Sequence, residues 1–223
     1  MILPDSFIPA AERYGLMSQL DRWVVQNVFK VIAQCIAQEH QQPLAMCAIN
    51  LSGITIGDDA FLHFLREQFV NYAIPPEMIC FEITETSAIS NLASAIKFIN
   101  ELKDLGCHFS LDDFCAGMSS FAYLKHLPVD FLKIDGSFVK DMLDDPINRA
   151  MVEVINHIGH VMGKQTIAEF VETTQIEQAL LEIGVDYAQG YVIERPQLFT
   201  CDSLQSRPAR PQPLLFKAPG TFR

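Results

Sequence analysis

From residue 46 onward the chain alternates between short apolar runs and longer stretches with helical periodicity. The runs cover residues 46–51, 79–85, 107–114, 131–135, 166–172 and 187–193. Each is only a few residues long and nearly continuous in apolar character, the pattern of strands covered on both faces. Helices are predicted to begin near Asp58, Ser90, Ser119, Pro146 and Thr174. Gly106, Gly163 and Gly184 follow the last apolar helical positions, where a left-handed residue ends a helix. Upstream, Asp5 or Ser6 offers the N-cap of a short helix stopping at Gly15. Residues 18–40 carry Leu20, Trp23, Val24, Val28, Val31, Ile32 and Cys35 at helical spacing, so a second helix lays one face on a core. Gln41, Gln42 and Pro43 break the pattern before the first strand.

Strands separated by helices form parallel sheets. The α/β pattern, with no Gly-x-Gly-x-x-Gly after any strand, favours a TIM-like (β/α) barrel over an open dinucleotide-binding sheet. The polar residues sharpen that expectation, because they gather at the C-terminal ends of the runs. Asn50 closes the first and Glu82 and Glu85 the second. Asp112 and Asp113 close the third, Lys133 and Asp135 the fourth, Glu169 and Glu172 the fifth. In a barrel those ends share the rim where active sites sit. Carboxylates crowded there stay ionised only beside cations. Carboxylates, an amide oxygen and water are the ligands of Mg²⁺ or Mn²⁺. Two adjacent aspartates can bridge two such ions roughly 3.5–4 Å apart, the arrangement used for phosphoryl displacement. A lysine on the rim can orient water or offset phosphate charge.

Composition narrows the partners. A net charge of −11 argues against a nucleic-acid polymer. No apolar stretch is long enough for a membrane span, and no signal peptide is recognisable, so a cytoplasmic location is expected. Cys35, Cys47, Cys80, Cys107, Cys115 and Cys201 form no Cys-x-x-Cys pair and are read as reduced, mostly buried thiols. A barrel domain over residues 1–200 gives way to a tail at 201–223. Pro208, Pro211, Pro213 and Pro219 with four basic residues and no acid after Asp202 make that tail flexible.

Several motifs in series resemble the EAL domain family. They are Ile49-Asn50-Leu51-Ser52, Phe81-Glu82-Ile83-Thr84-Glu85, Leu111-Asp112-Asp113-Phe114, Leu132-Lys133-Ile134-Asp135, Ala168-Glu169-Phe170-Val171-Glu172 and Asp186-Tyr187-Ala188-Gln189-Gly190-Tyr191. The resemblance spans residues 4–196. It implies a TIM-like barrel and metal-dependent hydrolysis of cyclic-di-GMP to linear pGpG. It makes Asn50, Glu82, Asp112, Asp113 and Glu169 ligands of two Mg²⁺ or Mn²⁺ sites, and Lys133 with Glu169 the catalytic pair. Glu85 would steady the loop after Asp113, through which the family dimerises. Gln189, Asp135 and Glu172 would contact substrate.

The family's Glu-Ala-Leu motif would precede Met1. The expectation is therefore an incomplete barrel lacking its opening strands, with weakened metal sites and impaired turnover. The alternative is a degenerate module that binds cyclic-di-GMP or a protein. A homodimer, and a sensor or cyclase domain on another chain, are the implied protein partners. Cys115 and Phe170 stand where the family commonly has glycine.

Overall fold

A computed structural model describes residues 4–38, 45–115 and 122–201. The expected helix near Ser119, the break at Gln41–Pro43 and the tail beyond Cys201 lie outside them. The order of elements is α1 (Pro4–Arg13), α2 (Met17–Ala37), β1 (Cys47–Asn50), α3 (Asp59–Tyr72), β2 (Ile79–Thr84), α4 (Glu85–Ser90), α5 (Leu92–Lys103), β3 (His108–Phe114), β4 (Phe131–Ile134), α6 (Gly136–Lys140), α7 (Pro146–Val161), β5 (Gln165–Ala168), α8 (Thr174–Ile183) and β6 (Tyr187–Ala188). A 3₁₀ turn at Pro76–Met78 precedes β2.

The six strands form one sheet in the order β1-β2-β3-β4-β5-β6, and every pair is parallel. The sheet curls into part of a barrel with the helices packed outside it. Sequential parallel order places every strand's C-terminal end on the same rim.

The helices begin where the sequence supplies caps. Asp58 accepts from the Ala60 N–H at 2.9 Å to start α3, and Asp145 from the Ile147 N–H at 2.8 Å to start α7, with Pro146 at the first helical position. Thr84 and Asp135 cap α4 and α6, so both end a strand and open a helix. Gly106, Gly163 and Gly184 all take positive φ, as the sequence indicated. Two details differ. Asp5 and Ser6 lie inside α1 rather than at its cap. The buried face of α2 is Asp21, Val25, Val28, Phe29 and Ile32, while Trp23 is 57% exposed. That stripe is rotated from the expected one.

The two faces of the sheet are packed differently. Phe81, Ile83, Phe109, Leu111, Leu132 and Ile134 belong to the large core shared with the helices, and the Phe98 ring of α5 meets Phe109 edge-on at 6.3 Å. Cys80, Phe131 and Ile167 face the barrel interior in a smaller cluster with Met46 and Tyr187. This cluster is the floor beneath the rim.

β6 is shorter than the predicted run, yet its backbone pairing continues past Ala188. The Gln189 N–H donates to the Ala168 carbonyl at 2.8 Å, and the Gln189 carbonyl accepts from the Val171 N–H at 3.0 Å. A Cβ on Gly190 would stand 2.3 Å from Val171 backbone atoms, so only glycine lets the two segments pass this closely.

The reading of six reduced thiols needs one correction. Cys47, Cys80, Cys107 and Cys115 are free and buried, but Cys35 of α2 and Cys201 form a disulfide. The first residue of the expected tail is thereby tied to α2. No helix among the described residues is long and apolar enough to cross a membrane.

Candidate active site

Alternation along a strand sends every second side chain to one face. Glu82 therefore follows Cys80, Lys133 follows Phe131 and Glu169 follows Ile167 on the interior side, one layer above the floor. Strand β3 departs from this rule. Its pairing with β4 shifts between Leu111 and Phe114, and Asp113 has φ 53°. Such a bulge re-aims side chains at a strand end. Here adjacent residues Asp112 and Asp113 offer carboxylate oxygens to one place, and together with an oxygen of Glu169 these lie within 4.8 Å of one another.

Lys133 is the hub. Its Nζ lies 3.2 Å from Glu82, 3.0 Å from Asp112 and 2.9 Å from Glu169, and its side chain is fully buried. Asn50, at the end of β1, stands opposite Glu82 in the parallel register and helps draw the Glu82 carboxyl back down. Thus Asn50, Glu82, Asp112, Asp113, Lys133 and Glu169, from five strand ends, are brought to one site.

The charges do not balance. Three carboxylates (−3) bond one ammonium (+1), an excess of two negative charges when all are ionised. The consequences appear in the proton affinities. Burial pushes the Glu82 carboxyl up, and the Asp112 charge adds to this, while Lys133 pulls it back. Burial likewise lifts Glu169 to about 7, opposed by Lys133 and aided by Asp112 and Glu82. Burial alone would lower Lys133, but Glu82, Asp112 and Glu169 outweigh it and hold its ammonium well above the usual lysine range.

The donor set suits a hard divalent cation. Glu169 Oε2 is buried without a hydrogen-bond partner, a costly state for a carboxylate oxygen. It belongs to the same residue that meets Asp112 and Asp113. All the donors are oxygens, as Mg²⁺ and Mn²⁺ require.

The remaining sequence candidates fall around this centre. Glu85, buried at the first position of α4, accepts from the Cys115 N–H at 3.0 Å and from the Tyr123 hydroxyl. It therefore holds both flanks of the segment 116–121, which lies outside the described residues. Asp135 Oδ1 caps α6, accepting from the Ser137 N–H at 2.8 Å. Glu172 is exposed, and Gln189 is half-buried where the segment after β6 crosses β5. These last two are not drawn into the carboxylate cluster.

Cys115 and Phe170 stand in left-handed backbone. Cys115 has φ 68° and Phe170 φ 54°. Phe170 lies directly after Glu169, its ring 4.0 Å from Lys140 Nζ, in space that exists because residue 136 is glycine: a Cβ there would meet the ring at 2.1 Å.

Sequence reasoning missed Asp21. This buried α2 residue accepts from the Ser52 N–H at 3.1 Å, the Ser52 hydroxyl at 2.6 Å and the Thr55 hydroxyl at 2.9 Å, all at Oδ2. A signal existed: Asp21 stands in helical register with Val25, Val28 and Ile32.

A parallel barrel sheet whose rim collects five acidic or amide oxygen donors around a lysine defines an α/β-barrel protein with an anionic, cation-ready site. The chain belongs to the EAL domain family, whose model matches residues 1–196. It is 39% identical to the cyclic di-GMP phosphodiesterase PdeB of Shewanella oneidensis over 214 residues, covering 94% of this chain and 24% of that protein. It is 36% identical to the cyclic di-GMP phosphodiesterase PdeF of Escherichia coli over 197 residues, covering 88% and 26%. The chain thus spans about a quarter of the length of these curated relatives. The PaMucR phosphodiesterase in its c-di-GMP complex superposes with a TM-score of 0.83 at 28% identity, covering 91% of this chain and 81% of that one. The FimX EAL domain from Pseudomonas aeruginosa bound to c-di-GMP gives 0.77 at 33% identity, covering 86% and 76%.

Proposed function

We propose that this chain acts on cyclic-di-GMP as a phosphodiesterase, hydrolysing it to linear pGpG with Mg²⁺ or Mn²⁺ on the rim. The observation that carries the reading is Glu169, whose buried Oε2 has no hydrogen-bond partner and whose carboxylate meets Asp112 and Asp113. The names of the curated relatives support the substrate.

Asn50, Glu82, Asp112, Asp113 and Glu169 would hold the cations. A bound divalent ion would polarise a phosphoryl oxygen and acidify a bound water. Lys133 stays protonated, so it acts as a donor and not as a base. Its ammonium orients the attacking water or offsets charge gathering on the phosphate. Glu85 keeps the ends of the loop after β3 in place. Glu172, Asp135 and Gln189 would line the approach of the nucleotide from the β4–β6 side.

The 223 residues contain no Glu-Ala-Leu tripeptide. Taken by themselves they supply fewer ligands than that motif would complete, and we propose weak cation affinity and impaired turnover for this stretch alone. The reading extends to a cytoplasmic setting, a homodimer, and a sensor or cyclase domain on another chain.

The test is direct. Purified chain is mixed with cyclic-di-GMP and Mg²⁺ or Mn²⁺, and linear product is followed by chromatography. Product should form slowly and disappear on Asp113→Ala. Product unchanged by that substitution would defeat the assignment. Binding of cyclic-di-GMP with no product would favour a degenerate binding module.

A further inference from the structure

Asn50 closes β1, which pairs only with β2 among the described residues. A strand end with one neighbour is free to shift unless the chain beyond it is held. Two contacts hold it. The Leu51 N–H donates to the Glu82 carbonyl at 2.9 Å, extending the ladder by one residue. Ser52 is then fastened to α2 through Asp21. The same carboxylate oxygen accepts from the Thr55 hydroxyl, and the Thr55 N–H donates to the Ser52 carbonyl at 3.1 Å. The turn 52–55 is therefore closed on itself and pinned to a helix outside the sheet.

Packing alone gives little reason for an acid there. Asp21 is 4% exposed and forms no ion pair among the described residues. A buried carboxylate without a cation costs stability unless its hydrogen bonds return something specific. Burial pushes its carboxyl up, and the bonds from Ser52 and Thr55 draw it back. What those bonds deliver is position: they fix the backbone two residues beyond Asn50, which pairs in register with Glu82.

We infer that Asp21 is a positioning residue for the rim, holding Asn50 in register with Glu82 through the Ser52–Thr55 turn. This rests on the reading of Asn50 as a cation ligand. Asp21 touches neither cation nor substrate, and its effect passes through Asn50.

The test is a double-mutant cycle read by Mn²⁺ binding, using calorimetry on wild type, Asp21→Ala, Asn50→Ala and the double variant, with a thermal melt of each. Loss of an outer residue that orients a ligand weakens metal binding by about tenfold or more. That loss is expected for Asp21→Ala, with partial rescue by Asp21→Asn. In the Asn50→Ala background Asp21→Ala should have no further effect on affinity. A residue that only supports folding would lower the melt equally in both backgrounds and would show no such coupling. If Asp21→Ala fails to fold, Ser52→Ala carries the same cycle by removing one bond. Unchanged Mn²⁺ affinity, or a full additive loss in the Asn50→Ala background, overturns the inference while leaving the site's function standing. Wild type that binds no Mn²⁺, or Asn50→Ala without effect, overturns both.

Discussion

Cys80, Phe131 and Ile167 lie two residues before Glu82, Lys133 and Glu169 on the same face, Glu169 standing just past the end of β5. The lower layer is apolar and closes the barrel interior. The upper layer is ionic, equally buried, and leaves an excess of negative charge with one orphaned oxygen. A single step of the strand repeat separates a layer that stabilises the fold from one that burdens it. Ionic burial of this kind gives weak return in stability. It marks the place where the fold accepts strain for chemistry.

Substitutions that exchange the roles of the two layers should separate activity from stability. Within the two layers the largest effect is expected for Glu169→Gln. The amide keeps the shape but removes the charge on the orphaned side, so product formation should fall about a thousandfold, within the range of removing an electrostatic stabiliser. In cation-free buffer at pH 8 the same variant should melt no lower than wild type, because it relieves crowding. A lower melt with activity retained would reverse the roles of the layers.

Phe131→Ala strikes the floor instead. The ring is buried and meets Tyr187 edge-on at 5.9 Å. Truncation should cost about 3–5 kcal/mol in denaturant unfolding. A loss below about 1 kcal/mol would mean that the floor is not packed as described.

The pH dependence of the cation-free chain gives a smaller, graded readout. Glu82 and Glu169 bind a proton more readily folded than unfolded, Glu169 up to about 7 from an ordinary 4.5. Their favourable contribution is therefore complete below the ordinary carboxylate range and is lost as the pH rises toward 7. Cation-free melts should fall over that interval, and saturating Mg²⁺ should flatten the decline. A melt that rises between pH 5 and 7 without cations would show that the carboxylates are not crowded.

The smallest effect concerns Cys115, held at φ 68°. Cys115→Gly should release about 1 kcal/mol of backbone strain, offset in part by lost burial, and so leave stability level or slightly raised. A loss beyond 1 kcal/mol would mean that the thiol packs better than its backbone suffers.

Much of this was legible along the chain. Runs with polar ends gave the strands, and five of those ends proved to share one rim, because parallel strands in sequential order leave no other choice. Cys115 and Phe170 stand where the resemblance expects glycine, and both take positive φ. Other features had no local signature. The bulge at Asp113 depends on pairing with β4, not on the Asp112-Asp113 dipeptide. The Cys35–Cys201 bond spans 166 residues, and no spacing rule reaches that far. Asp21 was hidden by a stripe drawn through Trp23 rather than Val25. Asp135 carries a helix cap that any strand-end aspartate can supply, and its engagement depends on the fold rather than on the local sequence.

If the rim's acids gather to hold a divalent cation, the ion itself can be located. Crystals of the chain soaked in Mn²⁺ and measured at an energy where manganese scatters anomalously test it most directly. An anomalous peak bounded by Asp112, Asp113 and Glu169 is expected. A crystal showing manganese elsewhere, with Glu169 still bonded only to Lys133, would contradict it.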